Sequence, residues 1–281
     1  MSGPLLGARR IRELFEAHGI RPQKQLGQNF VIDPNTIRKV VDVARVSEDD
    51  SVLEIGAGAG SLTLGLTAAA GHVTAVEFDS NVVPALRESL VGVENVDVIE
   101  ADAMKLDYTS IDATILVANL PYNIAVPLVI TVLEKATQVT SLTVMTQREV
   151  GERLAASAGS KAYGQVTVLV GYWAAASVAA RISRNAFFPV PRVDSVVVRI
   201  ERRPQPDVDY QVLKRAVKAS FEQRRKTLRN ALARVAGSTA AAERVLAAAA
   251  IDSTARPETI DVDGWFSIAS GLSSEVEMTR D

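Results

Sequence analysis

From position 51 to position 200 the chain alternates short, nearly all-apolar runs with stretches in which apolar residues recur at helical spacing. The runs fall at 51–55, 72–77, 96–100, 113–118 and 141–146, with two more at 174–181 and 195–200. Such runs, apolar at consecutive positions and rich in β-branched residues, predict strands covered on both faces. The helical patterns between them predict βαβ units and a mainly parallel sheet. The expected fold is therefore α/β, a Rossmann-like sheet with helices on both faces whose ligands sit at the carboxyl ends of the strands. Between the last two runs lies only the Pro- and aromatic-rich stretch 182–194, so they are expected as an antiparallel edge pair. Arg202-Arg203-Pro204-Gln205-Pro206 breaks both periods and predicts a boundary, with one domain over 1–203 and a second over 204–281. Beyond it 210–250 is rich in Ala, Leu and Arg at helical spacing, so the second domain is expected to be small and helical.

Composition changes the picture mainly by exclusion. The 281 residues include no cysteine and only two histidines, His18 and His72. A zinc site, a disulfide framework and a Cys/His nucleophile are thereby set aside, and no metal is expected. The first residues mix Arg with Glu, and no apolar stretch approaches the roughly 18 residues needed to span a bilayer. Neither secretion nor membrane insertion is expected, and a reducing cytoplasm fits. The net charge of −2 is unevenly placed: residues 1–39 hold 7 basic against 3 acidic side chains, and residues 202–234 hold 10 against 3. Two basic blocks around an acidic centre give a local footprint for phosphates. The second block reads as a basic helix bearing Lys214, Arg215, Lys218, Arg224, Arg225, Lys226 and Arg229. Its bland alternative is a helix that packs the tail and neutralises acids there, and both readings are expected to hold in part.

The chemistry sits where the strands end. The run at 51–55 closes on Glu54-Ile55-Gly56-Ala57-Gly58-Ala59-Gly60 before a helical stretch, a turn whose glycines let the backbone bend tightly against a nucleotide-type ligand. A dinucleotide fingerprint would require glycine at position 61, where Ser61 stands; the spacing instead resembles that of S-adenosylmethionine-dependent methyltransferases. Glu77 ends the next strand, where an acid can take ribose hydroxyls. Asp102 ends the third and can accept from the amino group of an adenine. After the fourth comes Asn119-Leu120-Pro121-Tyr122. An adenine N6 is a poor nucleophile, so its alkylation requires acceptors for its hydrogens and a fixed ring plane. The Asn119 oxygen and a neighbouring backbone carbonyl supply the first, Pro121 stiffens the turn, and Tyr122 can stack on the base.

These motifs, with Gln25-Leu26-Gly27-Gln28-Asn29-Phe30, Phe187-Phe188-Pro189-Val190-Pro191-Arg192-Val193-Asp194-Ser195 and Arg224-Arg225-Lys226-Thr227-Leu228-Arg229-Asn230, resemble the small-subunit rRNA adenine N6-dimethyltransferases. The likeness runs over nearly the whole chain and implies a class I methyltransferase sheet with S-adenosyl-L-methionine as cofactor. It also implies transfer of methyl groups to N6 of two adjacent adenosines of 16S rRNA, in the small ribosomal subunit or its precursor. It places Gln28, Asn29, Val31, Glu54, Gly56, Gly58, Gly60, Glu77, Asp102 and Asn119 around the cofactor, and Asn119, Leu120, Pro121, Tyr122 and Phe187 around the target base. Arg224, Arg225, Lys226 and Arg229 are the implied RNA contacts. Phe187 is expected to face the base opposite Tyr122, and Phe188 to plug the core. A monomer is expected. Rival readings are the type that modifies a large-subunit adenine, a DNA adenine methyltransferase with a similar Asn/Asp-Pro-Pro-Tyr element, and a ribosome-assembly or transcription factor that keeps the fold without turnover.

Overall fold

The computed structural model describes residues 5–23, 26–121, 124–223 and 226–278. The chain divides into two compact units, one of 1–151 with Ala176–Arg202 and one of Glu152–Ala175 with 203–281. The boundary expected after 203 falls after Arg202, and the second unit also takes Glu152–Ala175 out of the expected first domain. The reason is packing: α7 (Gln165–Trp173) is apolar nearly all round, and the Tyr163 hydroxyl before it donates to the Ile260 carbonyl at 2.6 Å.

In the first unit the runs become β2 (Ser51–Ile55), β3 (His72–Glu77), β4 (Val96–Glu100), β5 (Ile115–Asn119), β6 (Ser141–Gln147), β7 (Ala174–Ile182) and β9 (Ser195–Arg202). They form one seven-stranded sheet in the order β4-β3-β2-β5-β6-β9-β7. Strands β4, β3, β2, β5 and β6 run parallel, and β9 returns antiparallel to β6. Strand order reverses at β2, flanked by β3 on one side and β5 on the other, and a crevice opens at such a switch point between the carboxyl ends. Helices α2 (Pro34–Ala44), α3 (Ser61–Thr67), α4 (Val83–Ser89) and α5 (Ala125–Lys135) link or precede these strands. The start of α2 is fixed by Asp33, whose carboxylate accepts from Asn35 and Thr36 N–H, with Pro34 at the first helical position. Its end is closed by the Arg199 guanidinium, which donates to the Val43 and Ala44 carbonyls. Arg202 does the same for α5, donating to the carbonyls of Val132, Leu133, Ala136 and Val139.

One element has no counterpart in the apolar pattern. β1 (Phe30–Val31) and β8 (Phe187–Phe188) form a separate antiparallel ribbon, Phe30 opposite Phe188 and Val31 opposite Phe187. It is packed by α1 (Ala8–Ala17), whose Ile11, Leu14 and Phe15 are buried.

The second unit is helical, with α8 (Tyr210–Phe221), α9 (Leu228–Ala236), α10 (Thr239–Ala248) and α11 (Val262–Met278). The single basic helix expected over 214–229 is two helices. Thr227 is extended, and the N–H groups of Leu228 and Arg229 donate to the Ala255 and Ser253 carbonyls, so α9 starts afresh against that loop. Trp265 is fully buried among these helices.

Candidate active site

The crevice at the switch point is a cleft of ≈ 340 Å³ lined by the loops that follow β2, β3, β4 and β5 and by the loop 26–30. Its floor is the glycine turn. Gly56 and Ala57 N–H both donate to the Val76 carbonyl, folding the chain back over β3 with Gly56 at φ +78°, a conformation most L residues resist. A Cβ at Gly56 would reach only ordinary contact with the Asn119 carbonyl at 3.4 Å, so glycine there answers the backbone, whereas one at Gly58 would crowd the Phe30 ring at 3.0 Å.

Three carboxylates were expected at this site, and the structure gives them three different surroundings. Glu77 lines the cleft and is nearly buried; its Oε1 accepts from Phe78 and Asp79 N–H and its Oε2 from Gly58 N–H at 2.7 Å. Burial pushes its pKa up, opposed by those three donors. Of roughly four acceptor positions on a carboxylate, one on Oε2 is left for a ligand hydroxyl. Asp102 also lines the cleft; Oδ1 caps a short turn through Met104 N–H at 2.9 Å and Oδ2 lies 3.5 Å from the exposed Lys105 ammonium. Glu54 is different. It is wholly buried on β2, off the cleft, and faces the Thr63 hydroxyl without a well-formed hydrogen bond to either carboxylate oxygen. Desolvation raises its pKa to about 8, the Thr63 hydroxyl working against the rise and the charge of Glu77 with it. Burial thus favours the neutral acid inside the fold.

Asn119 closes the strand that faces this turn. Its Nδ2 donates to the Asn29 carbonyl at 2.9 Å. Only the amide nitrogen can donate to a carbonyl, so this bond leaves Oδ1 as a free acceptor. Leu120 is held by its N–H to the Met145 carbonyl, and the Pro121 carbonyl is taken by Ile124 N–H. The Leu120 carbonyl has no such partner among the described residues. Tyr122, Arg224 and Arg225 lie outside the described residues. Asn29 in turn is set by its own Nδ2 on the Gly27 carbonyl. Gln28 lines the cleft but spends its side chain on the loop: Nε2 donates to Asp79 Oδ2 at 2.7 Å, and Oε1 accepts from Gln23 N–H.

Of the residues expected here, Gln28, Asn29, Gly56, Gly58, Glu77, Asp102, Asn119, Leu120 and Pro121 come together around the cleft. Glu54, Gly60, Val31 and Phe187 do not line it. Gly60 (φ +89°) starts α3, where a Cβ would collide with Ser89 Oγ. Val31 is buried in the β1–β8 ribbon. The two phenylalanines are the reverse of expectation: Phe187 is 1% exposed and belongs to the core with Ile182 and Val197, while Phe188 is only half-buried. Adjacent residues of a strand point to opposite faces, and the strand pairing with β1 turns Phe187 inward. In the second unit Arg229 pairs with Glu243 at 2.8 Å, whereas Lys226 is exposed with no acid partner among the described residues.

The sequence reading passed over Phe78, which lines the cleft yet is 60% exposed, and the buried Asp79, which anchors Gln28 and Asn81. An aromatic placed directly after a strand-ending acid was the one available signal for Phe78.

A mostly parallel sheet with a glycine turn, two acids and an amide-bearing turn at the carboxyl ends of four strands around one cleft is the architecture of a class I methyltransferase. Comparison with known proteins narrows this. The model of the ribosomal RNA adenine dimethylase family matches residues 19–272, and the chain belongs to that family. It is 45% identical to a ribosomal RNA small subunit methyltransferase A of Paenarthrobacter aurescens over 95% of this chain and 93% of that protein. It is 44% identical to one of Streptomyces coelicolor, over 96% and 99%. Among solved structures, a dimethyladenosine transferase from Plasmodium falciparum shares the fold (TM-score 0.77, 22% identity, 88% of this chain and 98% of that one). So does the 23S rRNA methyltransferase ErmE, at TM-score 0.68 and 27% identity over 87% of this chain and 100% of that one. The cofactor is S-adenosylmethionine.

Proposed function

We propose that this protein dimethylates N6 of two adjacent adenosines of 16S rRNA within the small ribosomal subunit or its precursor. The observation that carries this reading is the Asn119 amide, which lines the cleft and is held through its Nδ2 on the Asn29 carbonyl, leaving its oxygen uncommitted as an acceptor.

The residues present fit the cofactor. The cleft volume suits a nucleoside-sized ligand; Glu77 keeps one acceptor for a ribose hydroxyl, Asp102 is placed for an adenine amino group, and Phe78 offers an exposed ring beside them. Bound there, S-adenosylmethionine supplies an electrophilic methyl group. The protein's own part is alignment: Asn119 Oδ1 and the Leu120 carbonyl accept the two N6 hydrogens, orienting the nitrogen lone pair, and Pro121 holds the turn that presents both. Once N6 has taken a methyl group it sheds one proton to solvent and keeps a lone pair and one hydrogen, so one acceptor is freed and the other still holds the amine for the second transfer. Base stacking is assigned to Tyr122. The same role for Phe187 requires its ring to leave the core, so Phe187→Ala should cost stability and turnover together. We further assign Lys226, with Arg224 and Arg225, to phosphate contacts, and a monomeric, cytoplasmic enzyme.

The test is transfer of labelled methyl to unmethylated small subunits, large subunits, naked rRNA and DNA, followed by nucleoside mapping. Dimethyladenosine at adjacent positions of small-subunit rRNA is expected. Label confined to large subunits or to DNA would refute the reading.

A further inference from the structure

Beside the β1–β8 ribbon lies a second recess, an open groove of ≈ 380 Å³ lined by Arg12, Phe15, Glu16, Arg21 and Phe188 among others. Three observations set it apart from ordinary surface. First, it presents part of an aromatic face: Phe188 packs against the core yet is only half-buried, and Val190 and Val193 on the following loop are 58% and 45% exposed. Second, its cations are uncommitted. On the same helix Arg9 pairs with Glu13, and Arg10 with Glu88. Arg12 and Arg21 are exposed and meet no carboxylate among the described residues, although one acid, Glu16, shares the groove. Arg12 instead lies over the Phe188 ring, its guanidinium carbon 5.6 Å from the ring centroid. Third, the groove is joined to the active site through a run of edge-to-face and tilted aromatic contacts. Phe30 lines the cleft and faces Phe188 across the ribbon, and Phe15 touches both, with ring centroids 4.7 Å from Phe30 and 6.3 Å from Phe188.

A ring with a cation on its face, flanked by spare arginines, is the arrangement that holds an unstacked nucleotide: base on the ring, phosphate on the guanidinium. Resting on the reading of the cleft as an adenosine site, we propose that this groove is the subsite for a nucleotide flanking the target. Its base stacks on Phe188, and Arg12 and Arg21 take the adjoining phosphates. Cross-strand residues are about 5 Å apart at Cα, so Phe188 lies directly beside Phe30, which lines the cleft, and the subsite adjoins it. Arg12 marks the place of the base, and with no carboxylate holding it, it can shift to the phosphate when RNA enters. The subsite favours single-stranded RNA with a neighbour available for splaying, consistent with a substrate of two adjacent adenosines.

Steady-state methylation of unmethylated small subunits by four variants tests this. Phe188→Leu keeps an apolar side chain but no ring, and should raise KM about ten-fold, the weight of one stacked base. Phe188→Tyr should keep the wild-type KM. Arg12→Gln and Arg21→Gln should each lower the salt-dependence slope of subunit binding by roughly one. Cofactor affinity should be unchanged throughout. A wild-type KM in Phe188→Leu, or unaltered salt slopes in both arginine variants, overturns the subsite. If Phe188→Leu lost its fold, the arginine slopes alone would decide. Wild-type enzyme inactive on small subunits would overturn the parent reading and the subsite together, whereas active wild type with indifferent variants overturns only the subsite.

Discussion

The two ends of the central sheet carry similar residues and do opposite things. At the carboxyl ends of the strands, Glu77, Asp102 and Asn119 are each fixed by hydrogen bonds to backbone groups around one cleft. At the amino ends, Asp49, Asp97, Asp112 and His72 surround a shallow recess, where His72 meets Asp97 at 3.1 Å with Asp97 largely in water and His72 partly so; Asp50 beside them is tied to the Ser47 N–H, as a turn rather than as part of a cleft. Chemistry therefore depends less on which charged groups gather than on whether the backbone immobilises them. A carboxylate held by three N–H groups has a defined free lone pair; a solvated one has only charge, screened within about 10 Å.

The largest effect that would break this contrast is at the fixed amide. Asn119→Ala should lower single-turnover methylation on the order of a hundred-fold or more, with the fold and RNA binding retained; substantial residual transfer would mean that the amine is held by something else. Next come Glu77→Ala and Asp102→Ala, each removing an acceptor from a ligand donor at a cost of about 1 to 3 kcal/mol in cofactor binding, measurable by calorimetry. Glu77→Ala should be the more damaging, because it also strands the Gly58, Phe78 and Asp79 N–H groups.

A subtler effect is expected at Glu54, between the two ends. Its pKa of about 8 in the fold lies above its unfolded value of 4.5, so the native state holds a proton that the unfolded chain releases as pH rises. Its contribution to stability is complete below about pH 4.5, declines through the window up to 8, and levels off beyond. Glu54→Gln, neutral at every pH, should show a melting temperature that gains on wild type as pH climbs from 5 to 8. A constant difference across that range would show that the carboxyl is ionised throughout. Smallest of all, Asp97→Asn and His72→Gln at the amino ends should change stability by less than about 0.5 kcal/mol and leave turnover unaltered in the same assays.

Much of this was legible in the chain because the relevant patterns are long. Strands of five or six largely apolar residues announce themselves, and with them the positions of Gly56, Glu77, Asp102 and Asn119 at or just beyond their ends. What was not legible lacks a period. A two-residue strand such as β8 has no alternation to read, and its partner lies more than 150 residues away, so nothing local says which of Phe187 and Phe188 turns inward. Glu54 precedes the glycine turn whether its side chain faces a ligand or the core, and only the packed structure shows it buried beside the Thr63 hydroxyl with no well-formed hydrogen bond. The break between α8 and α9 depends on carbonyls of Ser253 and Ala255, two dozen residues downstream.

The assignment of Glu152–Ala175 to the helical unit has a consequence for how the protein is made. This segment leaves the ribosome before β9, and its partners in α8 to α11 follow only over the next roughly 100 residues, a delay of about 5 to 20 seconds at ordinary elongation rates. During that interval Val168, Leu169 and Val170, all buried in the finished chain, have nothing of their own unit to cover them. A nascent polypeptide halted in that span would be the form that molecular chaperones should capture, and a truncation designed to remove the tail would leave the same greasy helix permanently orphaned.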